Sequence, residues 1–109
     1  MEFVAQTTAE GATRITVEGD LGSYHSAEIK QRLIEEVRAH PVLELDLSHV
    51  GEIDTAGFQL LALAKRESQR LGSVMRIVGH STAVREAIEF FNMVAFFGDP
   101  LVIPAGEQG

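Results

Sequence analysis

Hydrophobic residues alternate with polar ones along four stretches of the chain, and this period of two is typical of strands with one buried face. The predicted strands cover Phe3 to Thr7, Thr13 to Glu18, Leu43 to Leu47 and Val74 to Val78. Three other stretches repeat hydrophobic residues at helical spacing and predict helices from Ser26 to Ala39, Thr55 to Leu71, and near Ser81 to about Asn92. Glu10 and Gly11 form a turn that should join the first two strands as a hairpin.

The polar residues of the predicted strands fall on one side of the expected sheet. Ile15 and Val17 would point inward, and the outer face would hold Arg14, Thr16, Glu18, Glu44, Asp46 and Arg76. A parallel sheet covered by helices on both sides would instead show continuous apolar strands. We therefore expect an α/β fold with a mixed sheet of four to five strands and helices packed on one face only. Near the end of the chain, a Gly98-Asp99-Pro100 turn leads into a short apolar stretch, Leu101 to Ile103.

The helix ends carry recognisable signals. Ser26 and Asp54 are the expected caps of the first and second helices, and Gly72 is suited to end the second. At about 100° per residue, one stripe of the second helix holds Leu60, Leu63, Ala64 and Leu71. If that stripe faces the sheet, Phe58 lies on the opposite side and should be at least partly exposed as an anchor for a partner. A rotated first turn would instead make Phe58 a core residue.

Asp54 and Thr55 lie where the chain enters the second helix. The free amides and the helix dipole at this point favour negative charge, so the fold would tolerate a phosphate on Thr55. A simple capping pair explains the same two residues. Gly57 has two readings as well, a packing glycine or a place where another chain approaches the backbone closely. The sequence does not separate them.

Composition limits the classes of function. A chain of 109 residues with 45% hydrophobic and 23% charged residues predicts one globular domain over residues 1–109, with a core of about 3–103 and a short polar tail. The net charge of −7 disfavours binding to nucleic acid or anionic membrane. The chain contains no cysteine, no apolar run long enough to span a bilayer and no signal-peptide pattern, so we expect a cytoplasmic protein.

No catalytic or metal-binding pattern stands out. The histidines lack metal-ligand spacing: His25, His40, His49 and His80. Asp20, Asp46 and Asp54 suggest a carboxylate pair for acid–base chemistry or Mg²⁺, but Asp46 on an outward strand position is more simply solvated. The known phosphate-loop, nucleophile-elbow and zinc-protease motifs are absent. We expect a binding module with no catalytic residues, metal or cofactor.

Several motifs together resemble the STAS domain, the family of bacterial anti-sigma factor antagonists and their relatives. A strand ends in Asp46-Leu47-Ser48, a hydrophobic residue precedes Asp54, Thr55 follows it, and Gly57 opens a leucine-rich helix. The wider spacing agrees at Glu18-Gly19-Asp20-Leu21 and at Gly79-His80-Ser81-Thr82-Ala83-Val84. The resemblance covers roughly Phe3 to Ile103. It implies that Thr55 is the phosphoacceptor, although many kinase-regulated members have serine there and an aspartate where this chain has Gly22.

The resemblance implies two functions. In the first, the unphosphorylated protein binds an anti-sigma factor or a histidine-kinase-like serine/threonine kinase, and phosphorylation of Thr55 ends the binding. In the second, the same helix end docks a partner constitutively, as in STAS-like components of lipid-transport ATPase complexes or chemotaxis-associated STAS proteins. His49, in the predicted loop before Asp54, could tune the site. The expected partner surface comprises Asp20, His49, Asp54, Thr55, Ala56, Gly57 and Phe58.

Overall fold

A computed structural model describes residues 2–90 of the chain, which form one four-stranded sheet and three α-helices. The strands are β1 (Glu2–Thr7), β2 (Thr13–Leu21), β3 (Val42–Ile53) and β4 (Val74–His80). The helices are α1 (Ser26–Ala39), α2 (Thr55–Leu71) and α3 (Thr82–Phe90), and one 3₁₀ turn (Ser23–His25) precedes α1. Four predicted features lie outside the described residues: the last residues of the third helix, the Gly98-Asp99-Pro100 turn, the Leu101 to Ile103 stretch and the polar tail.

The sheet is mixed, as predicted. Its strand order is β1-β2-β3-β4, with β1 antiparallel to β2 and the other two pairs parallel. The predicted hairpin joins β1 and β2, and its turn uses Gly11 at a φ of 85°, a left-handed conformation that glycine adopts without steric cost. Helices α1 and α2 make the crossovers that parallel neighbours need, which brings the ends of β2 and β3 to the same edge of the sheet.

Strands β2 and β3 extend beyond their predicted ends. Gly19 pairs with Val50 and Leu21 with Ile53, so the segments expected to be loops continue the parallel ladder. Irregularities in the register break the period-two pattern here, and Gly19 has a φ of 113°. His49 consequently lies on β3 and not in a loop, contrary to the prediction.

Buried residues of the strands and helices form one core on a single face of the sheet. Leu43, Leu45 and Leu47 of β3 lie at its centre. The side chains that α1 and α3 contribute match the predicted helical spacing: Ile29, Leu33, Val37, Val84 and Ile88. The expected α/β architecture, with helices packed on one face of the sheet, is confirmed.

The opposite face of the sheet is polar, as the strand pattern indicated. Glu44 on β3 accepts hydrogen bonds from Arg14 on β2 at 2.9 and 3.1 Å and from Arg76 on β4 at 3.3 Å. This cross-strand charge ladder pairs neighbouring strands on the face that α1, α2 and α3 leave uncovered.

The buried side of α2 differs from the predicted stripe. Phe58 is only 5% exposed, whereas Leu71 is 44% exposed and Leu60 is partly buried. The α2 residues that are buried are Gly57, Phe58, Leu61, Ala62, Ala64 and Ser68. The helix packs against both the sheet and α1, so its buried sector is wide, and the close approach of Gly57 to β2 rotates that sector toward Phe58.

The predicted caps are right for α2, whereas for α1 the predicted end at Ala39 is right and the predicted Ser26 cap is wrong. Gly72 ends α2 with a φ of 69°, and its amide donates to the carbonyl groups of Gln69 and Ser68. Ser26, however, is already the first residue of α1, and His25 stands at the N-cap position with no side-chain capping hydrogen bond. The 3₁₀ turn leads directly into α1 and replaces the expected serine cap.

Truncation of a core leucine should test this packing. Leu45→Ala should lower the free energy of unfolding by about 2–5 kcal/mol, because Leu45 is completely buried and a cavity would remain. Leu71→Ala, at a side chain that is 44% exposed, is the matched control and should cost roughly 0.5 kcal/mol or less. Urea denaturation followed by circular dichroism measures both. Similar losses for the two variants would contradict the assigned core.

Candidate functional site at the start of helix α2

The carboxylate of Asp54 organises this region. Its Oδ1 atom accepts a hydrogen bond from the amide of Gly57 at 2.9 Å, which is the N-cap interaction predicted from the sequence. Its Oδ2 atom accepts from the amide of Ser23 at 2.9 Å, and its own amide donates to the carbonyl of Leu21 at 3.1 Å. One residue thus joins the end of β2, the turn before α1 and the start of α2.

These hydrogen bonds also set the charge of the site. The backbone N–H groups of Gly57 and then of Ser23 stabilise the ionised carboxylate and hold the pKa of Asp54 below its usual value. Asp54 is therefore ionised at neutral pH. A fixed negative charge lies next to Thr55 in the sequence, at the positive end of the α2 dipole.

Thr55 is exposed and lies between two surface grooves. One groove, of about 640 Å³, lies between α1 and α2 and is lined by Thr55 together with Lys30 and Arg66. The other, of about 600 Å³, lies between the end of β3 and α3 and is lined by Thr55 together with Glu52 and Glu86. Thr55 is therefore accessible from the surface, and the grooves beside it carry opposite charges. Ala56, half-buried, lines the first groove.

Gly57 has the packing role. A Cβ atom at this position would overlap the carbonyl oxygen of Leu21 and lie 2.6 Å from its carbonyl carbon. The close backbone approach that the sequence suggested is therefore made within the chain, by β2. Gly57 is buried by this contact.

The expectation that Phe58 is an exposed anchor is wrong. Its side chain is 5% exposed and belongs to the core, although it contributes to the lining of the groove between α1 and α2. The Gly57 contact with β2 directs this first turn of α2 inward, which is the rotated first turn considered as the alternative.

Asp20 lies at the same edge of the sheet as Asp54, and His49 lies farther away. Asp20 is exposed, and its Oδ1 atom accepts from the amide of Glu52 at 3.0 Å. His49 pairs with Glu18 on β2, and its Nδ1 atom is 3.2 Å from the Ser48 hydroxyl. His49 precedes Ile53 by four positions on β3, a distance of roughly 13 Å along the strand. The structure therefore brings Asp20, but not His49, to the start of α2.

Tyr24 is a candidate contact residue that the sequence analysis missed. Its side chain is 92% exposed, and it lies in the 3₁₀ turn that the Asp54–Ser23 hydrogen bond attaches to α2. The ring packs edge-on against His25, with centroids 5.0 Å apart. The sequence feature that could have identified Tyr24 is an aromatic residue within a polar loop, because exposed aromatic residues are frequent binding anchors.

Within residues 2–90, no three histidine, aspartate or glutamate side chains are grouped closely enough to hold a metal ion. None of the helices described here has the length and apolar character needed to cross a membrane.

Comparison with known proteins identifies the family. A family model described as "Mlab, STAS domain" matches residues 4–102. The chain therefore belongs to the STAS domain family, as its motifs indicated. No curated protein matches the sequence significantly.

Solved structures show the same fold at low sequence identity. An anti-sigma factor antagonist from Mycobacterium paratuberculosis superposes with a TM-score of 0.78 at 20% identity, covering 93% of this chain and 84% of the other. Unphosphorylated SpoIIAA gives a TM-score of 0.70 at 14% identity, with coverage of 96% and 90%. Phosphorylated SpoIIAA, a Bacillus cell fate determinant, gives 0.69 at 13% identity, with coverage of 96% and 93%. The fold is that of the anti-sigma factor antagonists.

The ionised cap makes stability depend on pH in a defined direction. Because folding lowers the pKa of Asp54, its carboxylate contributes stability above the pKa of the unfolded state, about 3.9, and this contribution is lost as the pH falls through the lower folded-state pKa. Asp54→Asn keeps a capping oxygen without the charge. The wild type should melt above this variant at neutral pH, and the gap should shrink below about pH 4. Thermal denaturation from pH 7 to pH 3 measures the gap, and a constant gap would contradict the assignment.

Proposed function

We propose that this protein, as a single domain over residues 1–109, is a non-enzymatic STAS-type interaction module of the anti-sigma factor antagonist kind. It binds a protein partner in the cytoplasm through the surface around Asp54, Thr55 and Ala56, with Asp20 and Tyr24 beside it. The partner is an anti-sigma factor or a histidine-kinase-like serine/threonine kinase, and phosphorylation of Thr55 ends the binding. The observation that carries this proposal is an exposed threonine, Thr55, directly after the Asp54 cap in a STAS fold.

The chemistry of the switch is phosphoryl transfer by the partner kinase. The Thr55 oxygen forms a bond to the γ-phosphorus of ATP, and the bond between that phosphorus and the oxygen bridging it to the β-phosphate breaks. ADP leaves, and the hydroxyl proton passes to a base of the kinase. The product carries about −1.5 to −2 charge at neutral pH. The N-terminal amides and dipole of α2 tolerate that charge within the fold, so its main effect falls on the bound partner.

A second candidate is a constitutive STAS subunit, in a lipid-transport ATPase or a chemotaxis-associated complex, that uses the same surface without phosphorylation. Gly22 favours it. A Cβ atom at Gly22 would lie 3.1 Å from Asp54 Oδ2, so an acidic residue there would add a second charge at the cap. Kinase-regulated relatives often have that acid, and this chain does not.

Phosphate mapping tests the switch. A cognate kinase with Mg-ATP should modify Thr55 and neither Ser48, whose hydroxyl donates to Asp46, nor Ser81, which is buried and caps α3 by accepting from the Val84 amide. Fragment-ion mass spectrometry locates the phosphate, and Thr55→Ala should remain unmodified. A phosphate on Ser48 or Ser81 would contradict the assignment.

The consequence for binding follows from the same site. Thr55→Ala should bind the partner with and without ATP, and Thr55→Glu should bind more weakly because it adds negative charge to the contact surface. Both variants should keep their melting temperatures within a few degrees, since Thr55 is exposed. Calorimetry with the purified partner measures affinity. Equal affinities for both variants and the wild type would favour the constitutive subunit.

Tyr24 should be an energetic anchor of this surface. Tyr24→Ala should weaken partner binding by more than about 1 kcal/mol, because an exposed aromatic ring gains much contact area when covered. The melting temperature should hardly change, because the ring is 92% exposed in the isolated chain. Val4→Ala on the edge strand β1, at a side chain 44% exposed, is the control for loss of exposed apolar surface and should bind normally. Normal binding by Tyr24→Ala would place the partner elsewhere.

A further inference from the structure

A continuous furrow runs between α1 and α2 and begins at Thr55. It consists of the groove of about 640 Å³ beside Thr55 and a second depression of about 540 Å³ farther along the same helix pair. The two depressions share Lys30 of α1 and Leu63 of α2, so they join in the middle of the furrow. We call this surface the α1/α2 furrow.

The furrow has the size and floor that an amphipathic helix needs. From Thr55 to Glu67 it follows α2 for twelve residues, a distance of roughly 18 Å, which equals about three helical turns. Half-buried aliphatic side chains form the floor: Ile34, Leu60 and Leu63. Helix-in-groove recognition uses such a floor, with apolar residues of the ligand helix spaced every three or four positions.

The charge of the furrow is opposite to that of the whole protein. Among the described residues that line its Thr55 end, Lys30 and Arg66 are the charged ones, although the chain carries a net charge of −7. The far end includes Glu35 and Glu67, and Glu67 is paired with Arg38 at 3.3 Å and Arg70 at 2.5 Å. Cationic charge therefore lines the groove that also contains Thr55, with Lys30 on α1 and Arg66 farther along α2.

From this combination we propose that the α1/α2 furrow binds an acidic amphipathic helix of the protein partner. The apolar side of that helix covers the aliphatic floor, and its carboxylates face Lys30 and Arg66. This proposal rests on the proposed function and names the chemistry of the partner. It also gives the switch a physical cause, since a phosphate on Thr55 adds negative charge to the same groove in which Lys30 and Arg66 attract the acidic helix.

A designed peptide pair tests the furrow without the native partner. The probe is a fluorescein-labelled synthetic helix of four turns with leucines on one side and glutamates on the other, and its twin has lysine in place of every glutamate. Fluorescence anisotropy with the full chain should show binding of the acidic peptide, weakening as salt is added, and little binding of its twin. In ¹⁵N NMR titration, the shifted amides should include those of Lys30 and Leu63.

Two variants that each remove one positive charge provide the matched comparison. Lys30→Gln should lower the affinity for the acidic peptide by roughly three- to fivefold. Arg76→Gln, on the uncovered face of the sheet, should leave its affinity unchanged. Thr55→Glu should also lower the affinity for the acidic peptide, because position 55 lines the same furrow.

Several results would overturn the proposal. These are the absence of acidic-peptide binding, equal binding of the two peptides, amide shifts confined to the groove of Glu52 and Glu86, or equal effects of Lys30→Gln and Arg76→Gln. A dimer of the chain that Lys30→Gln dissociates in analytical ultracentrifugation would assign the furrow to a second copy instead.

The furrow proposal and the proposed function fail in different ways. If Tyr24→Ala and Thr55→Glu weaken binding of the native partner but Lys30→Gln does not, the furrow proposal is wrong and the proposed function stands. If Lys30→Gln weakens binding of the native partner but Thr55→Glu does not, the furrow proposal stands and the phosphorylation switch is wrong.

Discussion

The hydrogen bonds of one carboxylate hold together the candidate site at the start of α2. Asp54 accepts the amide of Gly57 with one oxygen and that of Ser23 with the other. Helix α2 therefore starts at a defined position relative to the turn before α1. Thr55 directly follows Asp54, and Tyr24 directly follows Ser23. The charge-assisted hydrogen bond between Ser23 and Asp54 therefore sets their relative placement, and such a bond is stronger than a neutral one. The packing of Gly57 against the Leu21 carbonyl supports the same arrangement from below.

This arrangement gives Thr55 an unusual electrostatic position. One groove beside it is lined by Lys30 and Arg66, and the other by Glu52 and Glu86. A change of charge at position 55 therefore adds to the acidic groove and opposes the cationic one. Added negative charge at position 55 should leave the fold itself nearly unchanged, because the amides at the start of α2 favour negative charge. A surface that changes strongly on a scaffold that changes little is what a binding switch requires.

The family model and the solved structures agree on the fold of this chain. The structures of anti-sigma factor antagonists share the fold at 13–20% identity, a level at which the layered architecture persists while surface chemistry diverges. The surface around the start of α2 combines Thr55 directly after the Asp54 cap, Gly22 facing that cap and the exposed ring of Tyr24. Such surface chemistry, and not the fold, distinguishes the functions of proteins that share an architecture.

Local chemistry alone determined much of this protein. Alternation placed Leu43, Leu45 and Leu47 in the core, and Asp54 and Gly72 marked the ends of α2, because these signals depend on residues close together in the chain. Only the tertiary structure decided that Phe58 is buried, that β3 continues to Ile53, and that Tyr24 stands at the site. The side of α2 that faces inward depends on its contacts with β2 and α1, and the length of β3 depends on hydrogen bonds to a distant strand. Such contacts join residues far apart in the chain, and no local pattern records them.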